Sequence, residues 1–244
     1  NLITALGNIY LRKELAPFWI FLLYFTSIFP VAYIIYIDSN VYGGWRHLLF
    51  IYPSLVALGS IAAFWIISSF KNKWIRIAIA TLLILGMTTP ITHIFRNYPL
   101  QYIYYNKLVG GVNNAYEKYE TDYYIVSLNE GTSWVKQNLI SKNDSISKMR
   151  IASNGPDDLT GYYFRDYSEE LTCNYTRYYD RGASDWDYGI FYCNYIAPFQ
   201  IQKGYYPPGK TIHEIKVDDV TVCAVVERIT KLDHQGIHLA RAGI

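Results

Sequence analysis

Three long apolar runs without a charged side chain constrain the fold of this chain more than any other feature. Residues 18–37, 48–67 and 77–95 contain no Asp, Glu, Lys or Arg. Each run has about 19 to 20 residues, and a helix needs roughly 20 to cross the hydrocarbon core of a bilayer. Helices buried in a soluble protein normally keep a polar stripe, which these runs lack. The sequence therefore predicts three transmembrane helices within residues 1–95.

Positive charges beside the runs predict which way the helices cross the membrane. They crowd the flank before the first run and the link between the second and third, at Arg12, Lys13, Lys71, Lys73 and Arg76. The link before the second run has Arg46 as its only full positive charge. Because cytoplasmic loops carry an excess of Lys and Arg, the Arg46 link and everything after residue 95 are predicted to be extracytoplasmic.

The remainder of the chain divides into a junction and a compact domain. A start at Asn1 without a signal-peptide pattern suggests the C-terminal part of a multi-spanning membrane protein, and cleavage of a longer chain equally explains this start. Residues 96–126 are a tyrosine-rich junction that contains Tyr98, Tyr102, Tyr104, Tyr105, Tyr116, Tyr119, Tyr123 and Tyr124. These rings favour either a collar at the membrane interface or a groove for a sugar or lipid head group. Residues 127–244 are enough for one extracytoplasmic domain with its own core.

Local patterns in residues 127–244 predict a small mixed α/β domain. Ser127 and Glu130 have the spacing of a capping box, which predicts a helix from about Leu128 to Leu139. Apolar and β-branched runs predict short strands at 149–152 and 188–193. The segments 212–217 and 220–229 predict a hairpin that turns at Asp218. The pattern does not fix the order of the strands.

The cysteines and basic residues narrow the chemistry of this domain. Cys173 and Cys193 are either a disulfide or two free thiols, and Cys223 is expected to be a buried thiol in an apolar strand. The cysteine and histidine spacing matches no zinc pattern, so no metal ligands are assigned. No concentrated basic stretch suggests a nucleic-acid partner.

Arg46 and His47 stand at the mouth of the second apolar run, which begins at Leu48. A cationic pair at the start of a membrane helix is well placed to bind the phosphate of a lipid at the bilayer surface. The alternative is that the two side chains only anchor the helix by reaching the head groups.

Short motifs occur in a fixed order on both sides of the third run. They are YGGWRHLLFIYP at 42–53, YPLQY at 98–102, YYNKLVGG at 104–111 and YETDYY at 119–124. Together they resemble the C-terminal portion of bacterial GT-C glycosyltransferases of the protein mannosyltransferase and aminoarabinose transferase group. The resemblance covers roughly residues 1–130 and assigns no motif to the rest of the chain.

The resemblance implies an integral-membrane enzyme that transfers a sugar from a polyprenyl-phosphate donor to an acceptor on the outer face. Enzymes of this group place the catalytic acid on an outer loop near their N-terminus, so this chain is expected to hold no catalytic residue and to be inactive alone. Tyr42, Arg46 and His47 are the expected contacts of the donor phosphate. Membrane lipid and the lipid-linked sugar are the implied partners, whereas the acceptor and a divalent metal in the full enzyme stay open.

Four further side chains are candidate contacts for an acceptor or head group, because they follow the third run closely. They are Tyr104, Tyr105, Glu120 and Asp122. For the two carboxylates, solvation at the surface is the alternative, and neither is assigned as the catalytic base.

A function of another class competes with the transferase. The small α/β domain and the tyrosine-rich junction also suit a non-enzymatic, membrane-anchored protein that binds a ligand or partner outside the cell. The residues upstream of Asn1 discriminate between the two functions. An acidic residue just outside a first span, followed by about eight or more further spans, favours the transferase.

Overall fold

The structure is a computed structural model that describes residues 16–41, 46–116, 118–141 and 148–228. The chain divides into two compact units, Asn1–Thr88 and Thr89–Ile244. Tyr42, one of the expected donor contacts, lies outside the described residues, as do Arg12 and Lys13.

The first unit is helical and matches the three predicted spans. Helix α1 is Ala16–Tyr36, α2 is Tyr52–Ser69 after a 3₁₀ turn at Leu49–Ile51, and α3 is Lys73–Gly86. Three segments are long and apolar enough to cross a membrane, namely Pro17–Tyr36, Leu49–Ser69 and Lys73–Arg96. Only 6% of each window is buried, which leaves the apolar side chains facing outward as in a lipid-exposed helix. The prediction of three transmembrane helices is therefore supported by length and composition.

Helices α1 and α2 are joined by a polar contact between small side chains. The Thr26 hydroxyl donates to the Ser54 hydroxyl at 2.9 Å. Such contacts hold membrane helices together because burial of apolar surface gives no driving force between helices in lipid.

The third span consists of two helices, α3 and then α4 at Thr88–Arg96. Pro90 lies in the first turn of α4 and has no amide hydrogen to donate to the Gly86 carbonyl, so the α3 hydrogen-bond ladder stops there. The apolar run in the sequence gave no sign of this interruption except the proline itself.

The second unit contains a five-stranded mixed sheet in the order β2-β1-β3-β5-β4. The strands are β1 Met149–Ser153, β2 Leu171–Tyr175, β3 Tyr188–Tyr192, β4 Thr211–Val217 and β5 Val220–Glu227. Strand β1 pairs in parallel with β2 and β3, whereas β5 pairs antiparallel with β3 and β4. The predicted strands at 149–152 and 188–193 and the predicted hairpin are confirmed, whereas β2 was not predicted.

Short helices complete the second unit. They are α5 Gly111–Ala115, α6 Val126–Val135, α7 Asp157–Tyr163 and α8 Pro198–Gln202, and α6 continues as a π-helix at Lys136–Ile140. Helix α6 buries Leu128, Gly131 and Val135 against the sheet. A Cβ atom on Gly131 would lie 3.0 Å from Ile190 and 3.2 Å from Cys223, so a larger residue would crowd these two side chains where α6 approaches the sheet.

The tyrosine-rich junction is part of the core of the second unit. Leu100, Ile103 and Val112 are almost fully buried in one cluster with the sheet residues. Tyr102 and Tyr105 pack against the same cluster. Residues 96–126 thus fold together with the sheet, because buried apolar residues occur between the tyrosines of this segment.

Two predictions about local structure have clear outcomes here. The predicted capping box is wrong. The residue at the cap position of α6, Ile125, makes no side-chain hydrogen bond to the helix, and the Ser127 hydroxyl donates to Asp122 instead. The cysteines are free thiols, with Cys193 and Cys223 buried and Cys173 half-buried on β2, so the disulfide alternative is not realised.

The β4–β5 turn is bound to the end of α4 by a buried amide. Asp218 has a left-handed φ of 52° in this turn. Its backbone N–H donates to the Asn97 side-chain oxygen at 3.1 Å, and the Asn97 amide donates to the Asp218 carboxylate at 3.1 Å. The Asn97 amide also lies 2.9 Å from Nδ1 of the buried His93. The Asp218 carboxylate therefore has a structural partner in Asn97.

Candidate functional site

Arg46 and His47 lie in the turn immediately before the 3₁₀ turn that leads into α2. The Arg46 side chain is half-buried and His47 is exposed. No acidic residue follows until the third span has ended, so this turn keeps a local excess of positive charge. An anion at the start of α2 would also meet the positive end of the helix dipole.

The second unit contains a half-open cavity of about 310 Å³. Its walls come from two stretches of chain, the junction and the segment after β3. The lining residues are Tyr116, Lys118, Tyr119, Glu120, Thr121, Cys193, Asn194, Ile196, Pro198 and Ile201. This space is called the Tyr119 cavity below.

One wall of the Tyr119 cavity directly follows strand β3. The segment Cys193–Tyr195 continues directly from the carboxyl end of β3. After β1, the chain adds β2 on one side of it and then β3 on the other. The order in which strands are added to the sheet therefore reverses between β1 and β3. The Asn154 amide bridges these two strand ends, with hydrogen bonds of 2.9 and 3.0 Å to the backbone of Tyr192. Ligands of parallel sheets bind outside the carboxyl ends of the strands near such a point.

Asp122 follows the lining residue Thr121 and stabilises the junction wall of the cavity through hydrogen bonds. Its carboxylate accepts hydrogen bonds from the hydroxyls of Tyr102 and Ser127 and from the backbone amides of Val126 and Ser127. These amides belong to the first turn of α6, so Asp122 caps the helix in place of the predicted box. The side chain is 0% exposed, and the prediction of a solvated surface carboxylate is wrong for Asp122.

Burial also changes the acid–base properties of Asp122 and its neighbours. Desolvation raises the pKa of Asp122 to about 6, although the hydrogen bonds from Ser127 and Tyr102 oppose this shift. Burial and the nearby carboxylate raise the pKa of Tyr102. Burial also raises the pKa of Cys193 to about 12, so this thiol stays protonated and is not a nucleophile at neutral pH.

Of the other predicted contacts, Glu120 lines the cavity, whereas Tyr105 only stacks on the lining residue Tyr119 and Tyr104 does not line the cavity. The Tyr105 hydroxyl donates to the Glu120 carbonyl oxygen at 2.8 Å, and its ring stacks on Tyr119 with centroids 6.2 Å apart. Glu120 is exposed and is one of the lining residues of the cavity. Tyr104 packs edge-on against His93.

The cavity combines hydrogen-bonding groups with apolar surface. Lys118 donates to Asn114 at 2.6 Å, which fixes the position of the ammonium group. The side-chain oxygen of Asn194 is buried and has no hydrogen-bond partner among the residues that the structure describes. A buried acceptor without a partner costs free energy. The arrangement can therefore bind a small molecule that has both hydroxyl or amine donors and an apolar face.

Sequence reasoning missed the half of the cavity that follows β3. Cys193 was considered only for a disulfide, and Asn194, Ile196 and Ile201 were assigned no role. The strand predicted at 188–193 did carry a usable signal, because polar residues just beyond a parallel strand often face a ligand. That signal required knowing that β3 pairs in parallel with β1, which the sequence pattern did not reveal.

Metal-binding groups do not assemble within the described parts of the chain. Across residues 16–41, 46–116, 118–141 and 148–228, no three His, Cys, Asp or Glu side chains come together in a way that could hold a metal ion.

Comparison with known proteins adds no family to these observations. No protein-family model, curated protein or solved structure matches the chain.

Proposed function

We propose that this chain is the C-terminal part of an integral-membrane glycosyltransferase. The enzyme would transfer a sugar from a polyprenyl-phosphate donor to an acceptor on the outer face of the membrane. The observation that carries the proposal is the cationic turn of Arg46 and His47, directly before the membrane-length segment Leu49–Ser69. The ordered motifs around this turn and after the third span also support it.

The chemistry of sugar transfer explains why a guanidinium would be needed at this position. When the sugar leaves its carrier, negative charge builds up on the lipid phosphate. Arg46 can donate two parallel hydrogen bonds to phosphate oxygens, and His47 can donate another. At the edge of a bilayer, where water is scarce, such fixed donors stabilise developing charge more than they would in bulk solvent. The carboxylate that activates the acceptor hydroxyl would come from the upstream part of the protein.

Substitution of Arg46 tests the proposal. In the full-length protein, we expect Arg46→Ala to slow sugar transfer from a polyprenyl-phosphate donor. The slower rate should correspond to a loss of about 2 to 4 kcal/mol of transition-state stabilisation, the effect of losing one preorganised donor. Arg46→Lys should recover only part of the rate, because lysine keeps the charge and loses the planar fork. The measurement is sugar transfer in isolated membranes, with protein levels matched by immunoblot.

Arg76→Ala is the matched control, because Arg76 is an exposed arginine near the start of α3 and beside a different loop. It should transfer sugar at the native rate. A native rate for Arg46→Ala would instead assign Arg46 to membrane anchoring and remove the main support for the proposal.

A second function, ligand binding by a membrane-anchored protein without catalysis, is favoured by the Tyr119 cavity. The cavity lies within the second unit and requires no upstream sequence. If the full-length protein binds a ligand there but transfers no sugar from any lipid-linked donor, this second function replaces the first.

A further inference from the structure

We propose that the Tyr119 cavity is a binding site for a neutral carbohydrate about the size of one sugar unit. Sugar binding is inferred from the cavity itself, whereas a role for that sugar as the acceptor rests on the proposed function. The size supports the inference, because about 310 Å³ is near the lower end of small-molecule sites. A long polyprenyl chain would not fit into such a volume.

The two walls of the cavity match the two faces of a sugar ring. Ile196, Pro198 and Ile201 supply apolar surface, and the ring of Tyr119 is 66% exposed. Sugars present a face of C–H groups that packs against such surfaces, while their hydroxyls point outward around the rim. A tyrosine gives apolar contact area at a low cost in conformational entropy.

The Tyr119 ring is held in place before a ligand arrives. It stacks on Tyr105 at an interplanar angle of 21°, and the Tyr105 hydroxyl is tied to the Glu120 carbonyl oxygen. Glu120 is thereby linked to the aromatic platform through its backbone while its carboxylate remains exposed. Preorganisation of this kind reduces the entropy lost on binding.

An acceptor among the lining residues favours a ligand that donates. Glu120 is an exposed lining residue, and its carboxylate only accepts hydrogen bonds. Sugar hydroxyls can donate to it. A phosphate dianion brings only acceptors and would be repelled by Glu120.

The charges of the cavity favour a neutral ligand over an anion. Lys118 is the cationic side chain among the lining residues, and Glu120 offsets its charge. The Lys118 ammonium group already donates to Asn114. A phosphate group would therefore find no net positive charge among the lining residues, which argues for a neutral polyol.

Direct sugar binding by the purified protein tests the inference. The protein should be held in lauryldimethylamine oxide, because detergents with sugar head groups would compete for the cavity. The probes are free glucose, galactose, mannose and N-acetylglucosamine, with inorganic phosphate as the counter-probe. Binding is measured by saturation-transfer difference NMR and titration calorimetry.

We expect at least one of these sugars to bind the wild type. Tyr119→Ala and Glu120→Gln should each weaken its binding about tenfold, equivalent to roughly 1.4 kcal/mol. Tyr162→Ala and Glu169→Gln are matched controls with exposed side chains outside the cavity, and they should bind as the wild type does. Glu120→Gln is nearly isosteric, so a loss in this variant reports on the site and not on folding.

Three results would overturn the inference. The first is that no sugar in the panel binds. The second is that both cavity variants keep the native affinity for the sugar. The third is that inorganic phosphate binds more tightly than any sugar and that this binding is lost in Glu120→Gln or Tyr119→Ala. Failure of the transferase is separable, because Arg46→Ala should keep native sugar binding. If Arg46→Ala transfers sugar normally while Tyr119→Ala loses sugar binding, the cavity assignment stands without the donor-phosphate assignment.

Discussion

At the scale of single residues, neighbouring acidic side chains have opposite environments. Glu120 is exposed at the Tyr119 cavity, whereas Asp122 is fully buried two positions later. The burial of Asp122 is tolerated because two hydroxyls and two backbone amides donate to it. In the sequence, both carboxylates occur among tyrosines, and nothing in that pattern separates a cavity residue from a helix cap.

The raised pKa of Asp122 predicts a specific dependence of stability on pH. Because the folded protein holds this proton more tightly than the unfolded chain, its contribution is fully present below about pH 3.8 and is lost as the pH rises through about 6. At 1.36 kcal/mol per pKa unit, the loss across this window is about 3 kcal/mol. We expect the stability of the wild type relative to Asp122→Asn to fall between pH 4 and 7.

Thermal unfolding of the two proteins in the same detergent, followed by circular dichroism across that range, measures the difference. Asp122→Asn should be less stable throughout, because an amide offers fewer acceptor sites to four donors, so the informative quantity is the pH trend. Parallel pH profiles for the two proteins would contradict a raised pKa at Asp122.

At the scale of elements, periodicity located most helices and strands but not their ends or partners. Short apolar and β-branched runs located β1, β3 and the β4–β5 hairpin, because these strands each bury one face or more. Strand β2 escaped prediction because it is an edge strand with mostly exposed or half-buried residues. The helix near residue 128 was predicted correctly. Its cap was not, because Asp122 lies five residues before Ser127, which is outside the spacing of a capping box.

The contact between α6 and the sheet predicts opposite effects for two glycine substitutions. Both Gly131 and Gly161 lie in helices, where alanine is intrinsically favoured by up to about 1 kcal/mol. At Gly161 a Cβ atom meets nothing within 4 Å, so Gly161→Ala should stabilise the protein by up to that amount. At Gly131 the Cβ atom would crowd Ile190 and Cys223, and overpacking of this kind costs about 1 to 3 kcal/mol.

We therefore expect Gly131→Ala to lower the melting temperature and Gly161→Ala to raise or preserve it, as measured by thermal unfolding. Equal shifts in the two variants would show that α6 does not approach the sheet as closely as the structure describes.

At the scale of the whole molecule, the sequence predicted an apolar helical part followed by a mixed α/β part, and the structure contains both. Length and the absence of charge suffice for the first, since a membrane-crossing helix needs little else. The candidate site was predictable only in part. The turn of Arg46 and His47 and the residues Tyr105 and Glu120 were found from local sequence, but the wall after β3 depends on strand order, a long-range property that local patterns do not encode.

Orientation in the membrane is the prediction at this scale on which the proposed outer active site depends. The positive charges at Lys71, Lys73 and Arg76 predict a cytoplasmic position for that loop by the positive-inside tendency. Cysteines introduced at Asn40 and Ser168, both exposed, should react with an impermeant thiol reagent in intact cells, whereas a cysteine at Asn72 should react only after permeabilisation. The buried thiols of Cys193 and Cys223 should add little background, and the wild type corrects for half-buried Cys173. The reverse labelling pattern would place both the Arg46 turn and the Tyr119 cavity in the cytoplasm, where transfer to an acceptor on the outer face could not occur.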